Sequence, residues 1–268
     1  MIETISDFRN ENLIFNHLIH KNPGKGIFSM EAHNSWEFLY VVDGDVTYVI
    51  EDRRYKLKRG DLLITRPARY HYIEIDSPKD YERIDILFDE RILLVNNTAA
   101  VSEELEVINL SSSKRVYDVF GKLEYYYSKL EKEEFTKAAA LVLSELFYEL
   151  SIAEKNIDEI KYSTATPLVS KALKYISDHL FTIKNIGEIS KELFVTDSYL
   201  YRIFKKELKQ TPKKYINDKR LLAAQNMISM GEKPTSVCEK CGFSDYTSFY
   251  RSYSSFFGYS PSKEHVFK

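Results

Sequence analysis

Leu200-Tyr201-Arg202-Ile203-Phe204-Lys205, with Thr211-Pro212 behind it, is answered forty-nine residues later by Phe249-Tyr250-Arg251-Ser252-Tyr253-Ser254 and Ser260-Pro261. Arg202 maps to Arg251, Phe204 to Tyr253, Leu208 to Phe257 and Pro212 to Pro261. Upstream the offset is forty-eight: Ile189 maps to Val237, Ser190 to Cys238 and Leu193 to Cys241. A repeat that slips by one residue at a turn is one supersecondary unit used twice. Each copy reads as a short helix, a tight turn and a longer helix, the helix-turn-helix arrangement.

In the first copy Thr196-Asp197 supplies the N-cap. Leu200, Ile203, Phe204 and Leu208 share one face and are expected inside. Ser198, Tyr201, Arg202 and Lys205 recur at i, i+3, i+4 and i+7 on the opposite face. In the second copy Phe249, Tyr253, Phe256 and Phe257 form the inner face, and Tyr246, Thr247, Tyr250 and Arg251 the outer one. A polar stripe of this kind suits a helix lying in the major groove of double-stranded DNA, where arginine donates two hydrogen bonds to guanine O6 and N7. Lys205, Lys206, Lys213 and Lys214 suit phosphate contacts, which position a protein without specifying sequence.

The charge distribution agrees. Residues 1–160 carry 20 Lys and Arg against 30 Asp and Glu, whereas residues 161–268 carry 18 against 10. The basic part suits a polyanion and the acidic part does not. At 268 residues with 44% hydrophobic content the chain is long enough for two packed domains. Its first residues lack a basic segment followed by an apolar run, and no apolar stretch approaches the ~18 residues of a membrane span. The expectation is therefore a cytoplasmic protein without a membrane partner. Cys238 and Cys241 are the only cysteines. Their spacing resembles a zinc or redox pair, but zinc takes about four ligands and no second pair exists. Both fall on the apolar face beside Val237, so core packing is expected.

Upstream, residues 28–90 read as short strands broken by Asp43-Gly44, the charged turn Glu51-Asp52-Arg53-Arg54, Gly60-Asp61 and Pro67. Regular short strands point to a sandwich or barrel. Residues 112–155 switch to helical periodicity, with Val116, Val119, Phe120, Leu123 and Tyr127, then Phe135, Ala138, Ala139, Val142, Leu146 and Leu150, on one stripe. This predicts a helical hairpin. Its stripe packs either on its own barrel or, as the favoured expectation, along the seam of a homodimer. Residues 156–166 read as a linker, and Thr166-Pro167 opens the helical part with an N-cap and a first-turn proline.

These motifs carry a family resemblance. Residues 167–268, through Cys241-Gly242-Phe243, Phe249-Tyr250-Arg251, Phe257-Gly258 and Ser260-Pro261, resemble the DNA-binding domain of the AraC/XylS transcription regulators. The resemblance implies two helix-turn-helix units joined by a long helix, about Lys213–Ile228, entering successive major grooves about 34 Å apart. Three positions depart from the family pattern. Ser254 stands in place of lysine, Lys209 in place of the glycine before Thr211-Pro212, and His265-Val266 in place of an aromatic–arginine end.

Within an expected barrel domain of residues 1–111, roughly residues 15–95, through His33-Asn34-Ser35-Trp36-Glu37, Gly44, Gly60-Asp61, Pro67 and His71, resemble the cupin sensor domain of the same family. The implied architecture is a mixed two-domain chain: a cupin-like β-barrel with a helical hairpin, then an all-α double helix-turn-helix. The resemblance implies a small-molecule effector, a sugar or related polar metabolite. His33, Trp36, Glu37, Tyr40, Tyr48 and His71 are the candidate effector residues, with Tyr72 as a further aromatic wall. Ser35 replaces one histidine of the usual metal set, so no metal, cofactor or catalytic residue is expected, although His33, Glu37 and His71 leave a three-ligand metal site open. The expected function is effector-controlled, sequence-specific transcription regulation, with RNA polymerase as a possible partner. The alternative is a metal-dependent cupin enzyme fused to a DNA-binding module.

Overall fold

The computed structural model describes residues 1–95, 97–153 and 162–264. Strands come first: β1 (Ile2–Arg9), β2 (Leu13–His20), β3 (Gly26–Glu31), β4 (Trp36–Asp43), β5 (Val46–Ile50), β6 (Arg53–Leu57), β7 (Asp61–Thr65), β8 (His71–Ile75), β9 (Tyr81–Phe88) and β10 (Val107–Asn109). The hairpin α1 (Lys114–Lys129) and α2 (Lys132–Ala153) follows, then a two-residue β11 (Ser163–Thr164). The remainder is helical: α3 (Pro167–His179), α4 (Ile186–Glu192), α5 (Asp197–Glu207), α6 (Pro212–Ser229), α7 (Pro234–Lys240) and α8 (Tyr246–Phe257). Residues 154–161, the last two of the expected hairpin and the first six of the expected linker, lie outside the described residues, as do His265 and Val266. Two compact units result. The first is Met1–Glu31, Ser35–Ile50 and Arg54–Ser163; the second is Thr164–Lys268 with Ala32–Asn34 and Glu51–Arg53.

In the first unit the strands form a six-stranded sheet, β1-β2-β9-β4-β7-β10, and a five-stranded sheet, β11-β6-β5-β8-β3. The charged turn expected at Glu51 to Arg54 is shorter than its charge suggests, because Arg53 already begins β6. Two cores follow from the pleat, which sends successive side chains to opposite faces. Leu39, Val41, Leu63, Tyr81 and Val107 from one sheet meet Val46, Tyr48, Ile50, Leu57, Ile73 and Ile75 from the other, filling the space between the sheets. Phe15, Trp36, Phe38, Ile64, Ile84, Ile86 and Phe88 face the other way and pack against the hairpin. Antiparallel pairing of Phe38 with Ile64 and Ile86 keeps this apolar row continuous across three strands.

The hairpin stripe is thereby consumed. Val116, Val119, Phe120, Leu123, Phe135, Ala139, Val142, Leu146 and Leu150 are all buried in the same cluster as the sheet. Phe147 is central, its ring 5.1 Å from Trp36 and 5.5 Å from Phe38. His17 holds α1 down as well, with Nδ1 2.7 Å from Glu124 and Nε2 2.8 Å from Glu82. The expected subunit seam is therefore an intrachain core. The large apolar residues that α2 leaves exposed are Leu141, Tyr148 and Ile152.

The second unit repeats as its sequence does. Thr196 accepts from the Tyr199 backbone N–H and Asp245 from that of Ser248, so α5 and α8 start on equivalent caps. Leu200, Ile203 and Phe204 are buried in one copy and Phe249 and Tyr253 in the other. Cys238 and Cys241 are free thiols in the core with Leu221, Ala224, Ile228 and Phe249. Burial pushes the Cys241 thiol up to about 11, as expected of a packed rather than reactive cysteine. Even the unusual backbone positions repeat. Gly242 in the α7–α8 turn has φ 75°, and its counterpart Phe194 in the α4–α5 turn has φ 55°. Gly258 after α8 has φ 79°, and its counterpart Lys209 has φ 60°. The left-handed turn persists where glycine is missing, so tertiary packing overrides a cost of about 1–2 kcal/mol at each site.

Candidate functional site

The expected groove-facing residues take the outer surface of each copy. Ser198, Arg202 and Lys205 on α5 are exposed and Tyr201 is half-buried, while Tyr246, Thr247, Tyr250 and Arg251 on α8 are all exposed. Lys206, Lys213 and Lys214 are exposed too. Sequence reasoning missed Tyr199. Its ring lies 5.1 Å beneath the Arg202 guanidinium, a cation–π contact that holds the arginine side chain over its own helix. The i, i+3 spacing of the pair was the available signal. A cleft of about 800 Å³ is lined by Lys184, Asn185, Tyr201, Lys213, Lys214 and Ser252 among others. Lysines, amides and hydroxyls of this kind bind phosphate oxygens.

In the barrel, strand parity decides which candidates meet. Glu37 shares its face of β4 with Leu39 and Val41, so it points between the sheets. Opposite, His71 extends the inward row Ile73, Ile75 of β8, and Tyr48 lies on the inward row of β5. The three converge: His71 Nε2 is 3.0 Å from Glu37 Oε2, and the Tyr48 ring stacks on the imidazole at 5.8 Å and 8°. His71 Nδ1 donates to the Arg69 carbonyl at 2.9 Å, which leaves Nε2 for the carboxylate. Burial disfavours the imidazolium, but the Glu37 carboxylate and the Arg69 carbonyl outweigh it, so the His71 pKa lies above its ordinary value.

Trp36 and Tyr40 are corrections. They sit on the opposite face of β4, Trp36 against Phe147 and Tyr40 5.7 Å from Phe120 under α1. They are hairpin-docking residues, not chamber walls. Tyr72 likewise lies off the inward row, paired across strands with Val49. His33 is half-buried in Ala32–Asn34, which groups with the second unit, while Glu37, Tyr48 and His71 are candidates that meet between the sheets.

Two further polar residues join them that the sequence did not single out. Arg83 and Asp85 share the inward face of β9 with Tyr81, and Arg83 Nη2 lies 3.8 Å from Asp85 Oδ2. Asp85 Oδ1 and Arg83 Nε are buried and make no hydrogen bond among the described residues. Burial, and then the neighbouring Glu37 carboxylate, push the Asp85 carboxyl well above the ordinary carboxylate range. Buried polar atoms without partners are costly, and ligand groups are one way of satisfying them. The signal was the charged alternation Arg83-Ile84-Asp85-Ile86, legible only once β9 is known to be central in its sheet.

Two sheets closing over a mostly apolar interior that holds the buried cluster Glu37, His71, Arg83 and Asp85, followed by paired helix-turn-helix units, define the class of chain that joins a small barrel to a double helix-turn-helix. Comparison with known proteins places that class in a family. Residues 17–87 match the cupin domain and residues 189–264 the helix-turn-helix domain. The chain is 22% identical to the Msm operon regulatory protein of Streptococcus mutans, over 96% of this chain and 94% of that protein. It is 21% identical to the transcriptional activator RhaS of Escherichia coli, over 87% and 86%. It is also 35% identical to the probable transcriptional regulator LumQ of Photobacterium leiognathi, a match spanning 35% of this chain and 38% of that protein. The chain thus joins a cupin domain to an AraC-type helix-turn-helix domain and is homologous to AraC-family transcription regulators. Regulators of this type bind DNA and small-molecule effectors.

Proposed function

We propose that the barrel binds a sugar or related polar metabolite at Glu37, Tyr48, His71, Arg83 and Asp85, and that this controls DNA binding by the α5 and α8 surfaces. The observation that carries the reading is the Glu37–His71 pair at 3.0 Å, stacked under Tyr48 beside Asp85 Oδ1 and Arg83 Nε, which are buried and make no hydrogen bond among the described residues. A polyol hydroxyl both donates and accepts, so it suits a lining of carboxylates, guanidinium and imidazole, while an aromatic face covers its C–H surface. The full-length relatives are regulatory proteins, which supports a regulator over a cupin enzyme. Control of DNA binding requires that the effector bind two states of the protein unequally.

The same reading places the protein in the cytoplasm as a homodimer. With the hairpin's inner stripe buried, the dimer face is the outer pair Tyr148 and Ile152 of α2, which are 49% and 54% exposed. A self-matching apolar pair suits a two-fold contact between copies. Sedimentation of Tyr148→Glu as a monomer beside a dimeric parent tests it.

The effector test is a thermal-shift and calorimetric titration of the full chain with monosaccharides, sugar alcohols and sugar acids, each with and without chelator. A compound that raises the melting temperature should bind Glu37→Gln more weakly by about 1–3 kcal/mol, the worth of a charge-assisted hydrogen bond. Binding that is unchanged by the substitution, or that needs a stoichiometric metal, would overturn the reading.

A further inference from the structure

Arg220, midway along α6, carries a guanidinium that is directed entirely at backbone carbonyls. Nε donates to Leu180 O at 2.8 Å, Nη2 to Ile183 O at 2.6 Å and Nη1 to Gly242 O at 2.9 Å. The first two carbonyls belong to the connection between α3 and α4 that leads into the first helix-turn-helix copy. The third belongs to the turn between α7 and α8 of the second. The two turns touch directly as well. A Cβ on Gly242 would stand 2.3 Å from the Phe181 carbonyl oxygen and 3.2 Å from the Arg220 guanidinium carbon. Gly242 also holds φ 75°, so this position excludes a side chain both by conformation and by space.

One planar fork therefore ties both copies to the helix between them, at the point where their backbones meet. Arginine suits this role because its donors are fixed in one plane and its charge persists under partial burial. Burial is what lowers the Arg220 pKa. Ordered carbonyls, the negative ends of peptide dipoles, supply stabilisation. A lysine at this position has one nitrogen and cannot span three carbonyls.

We infer that Arg220, seated against Gly242, is a positioning residue that sets the phase between recognition helices α5 and α8 and so selects the spacing of the two DNA half-sites. The inference rests on the proposed use of both helices in DNA binding. Two linked readers gain avidity only when their geometry matches the spacing of their sites. One base pair of spacing rotates a site by about 34° around the duplex, since a turn holds about 10.5 base pairs. A rigid pair of readers is sensitive to such a step, and a loosened pair is less so.

The test uses the full chain and duplexes enriched by it from a random library, re-made with one base pair inserted or deleted between half-sites. The wild type should lose about tenfold or more in affinity on either change. Arg220→Lys and Arg220→Gln should bind the native spacing more weakly, yet discriminate between spacings by only about threefold or less. Binding to a duplex with a single half-site should be equal in all three proteins. Arg220→Lys keeps the charge, so far-UV circular dichroism of that variant guards against a folding failure in Arg220→Gln. A wild-type spacing preference in Arg220→Lys would overturn the inference. So would a uniform loss on every duplex, single half-sites included, because that is the mark of a merely structural residue. Enrichment of no duplex by the wild type would instead remove the DNA-binding reading beneath it.

Discussion

Replacing Phe147 by alanine tests whether the hairpin belongs to the barrel core. The buried ring stands 5.1 Å from Trp36, 5.5 Å from Phe38 and 6.2 Å from Phe88, so one truncation removes three aromatic contacts between α2 and strands β4 and β9. Each such pair is worth about 0.5–1.5 kcal/mol beyond the area it buries. Phenylalanine-to-alanine changes in close-packed cores cost about 3–5 kcal/mol in total. Leu141 on the same helix is 58% exposed, and its alanine variant should shift stability by about 0.5 kcal/mol or less. Trp36 is the only tryptophan in the chain, and at 5% exposed it sits in this junction. Its fluorescence in urea therefore follows the first unit and not the helical one. With a slope of about 2 kcal/mol per molar urea, the midpoint should fall by about 2 M for Phe147→Ala and stay within about 0.3 M for Leu141→Ala. Equal shifts in the two variants, or a Phe147→Ala midpoint within about 0.5 M of the parent, would refute the intrachain packing.

Arg202→Ala and Arg251→Ala should each cost about 1–3 kcal/mol of affinity for the selected operator, whereas Lys213→Ala should weaken all duplexes alike and reduce the salt slope by about 1; footprinting and salt titration separate the two kinds of contact. The raised His71 pKa means that the native state binds this proton more tightly than the unfolded chain does. Its contribution is therefore complete below about pH 6.5 and is lost as pH rises through the folded value, so the Trp36-detected urea midpoint should fall over that range and His71→Gln should flatten the profile. A midpoint that rises with pH would contradict the Glu37–His71 pairing. Phe194→Gly and Lys209→Gly relieve left-handed backbone at φ 55° and 60°, and each should raise stability by a net ~0.5–1 kcal/mol in thermal melts of the helical unit. Destabilisation in both would mean that those side chains make contacts outweighing the strain.

The helical half of the chain was legible because its determinants are local. Thr196, Asp245 and Thr211-Pro212 mark helix starts within a few residues of the bonds they make, and a period of 3.6 separates inner from outer faces with no knowledge of the partner. The duplication then cross-checked each copy against the other, down to the left-handed residue that Lys209 adopts without being glycine. In the barrel, strands were legible and their faces were not. Both rows of β4 are apolar, Trp36-Phe38-Tyr40 on one side and Leu39-Val41 on the other, so alternation alone does not say which row meets the interior. Pairing with β7 and β9 decided it, sending Glu37 inward and Trp36 and Tyr40 under the hairpin. The hairpin stripe was likewise visible as a stripe, but an apolar face records only that it must be covered, since hydrophobic burial has no direction. The chain's own six-stranded sheet supplies that cover. Sequence periodicity thus determined which residues leave water, and tertiary pairing determined what they meet, because contacts between distant segments are set by register and packing that no local pattern encodes.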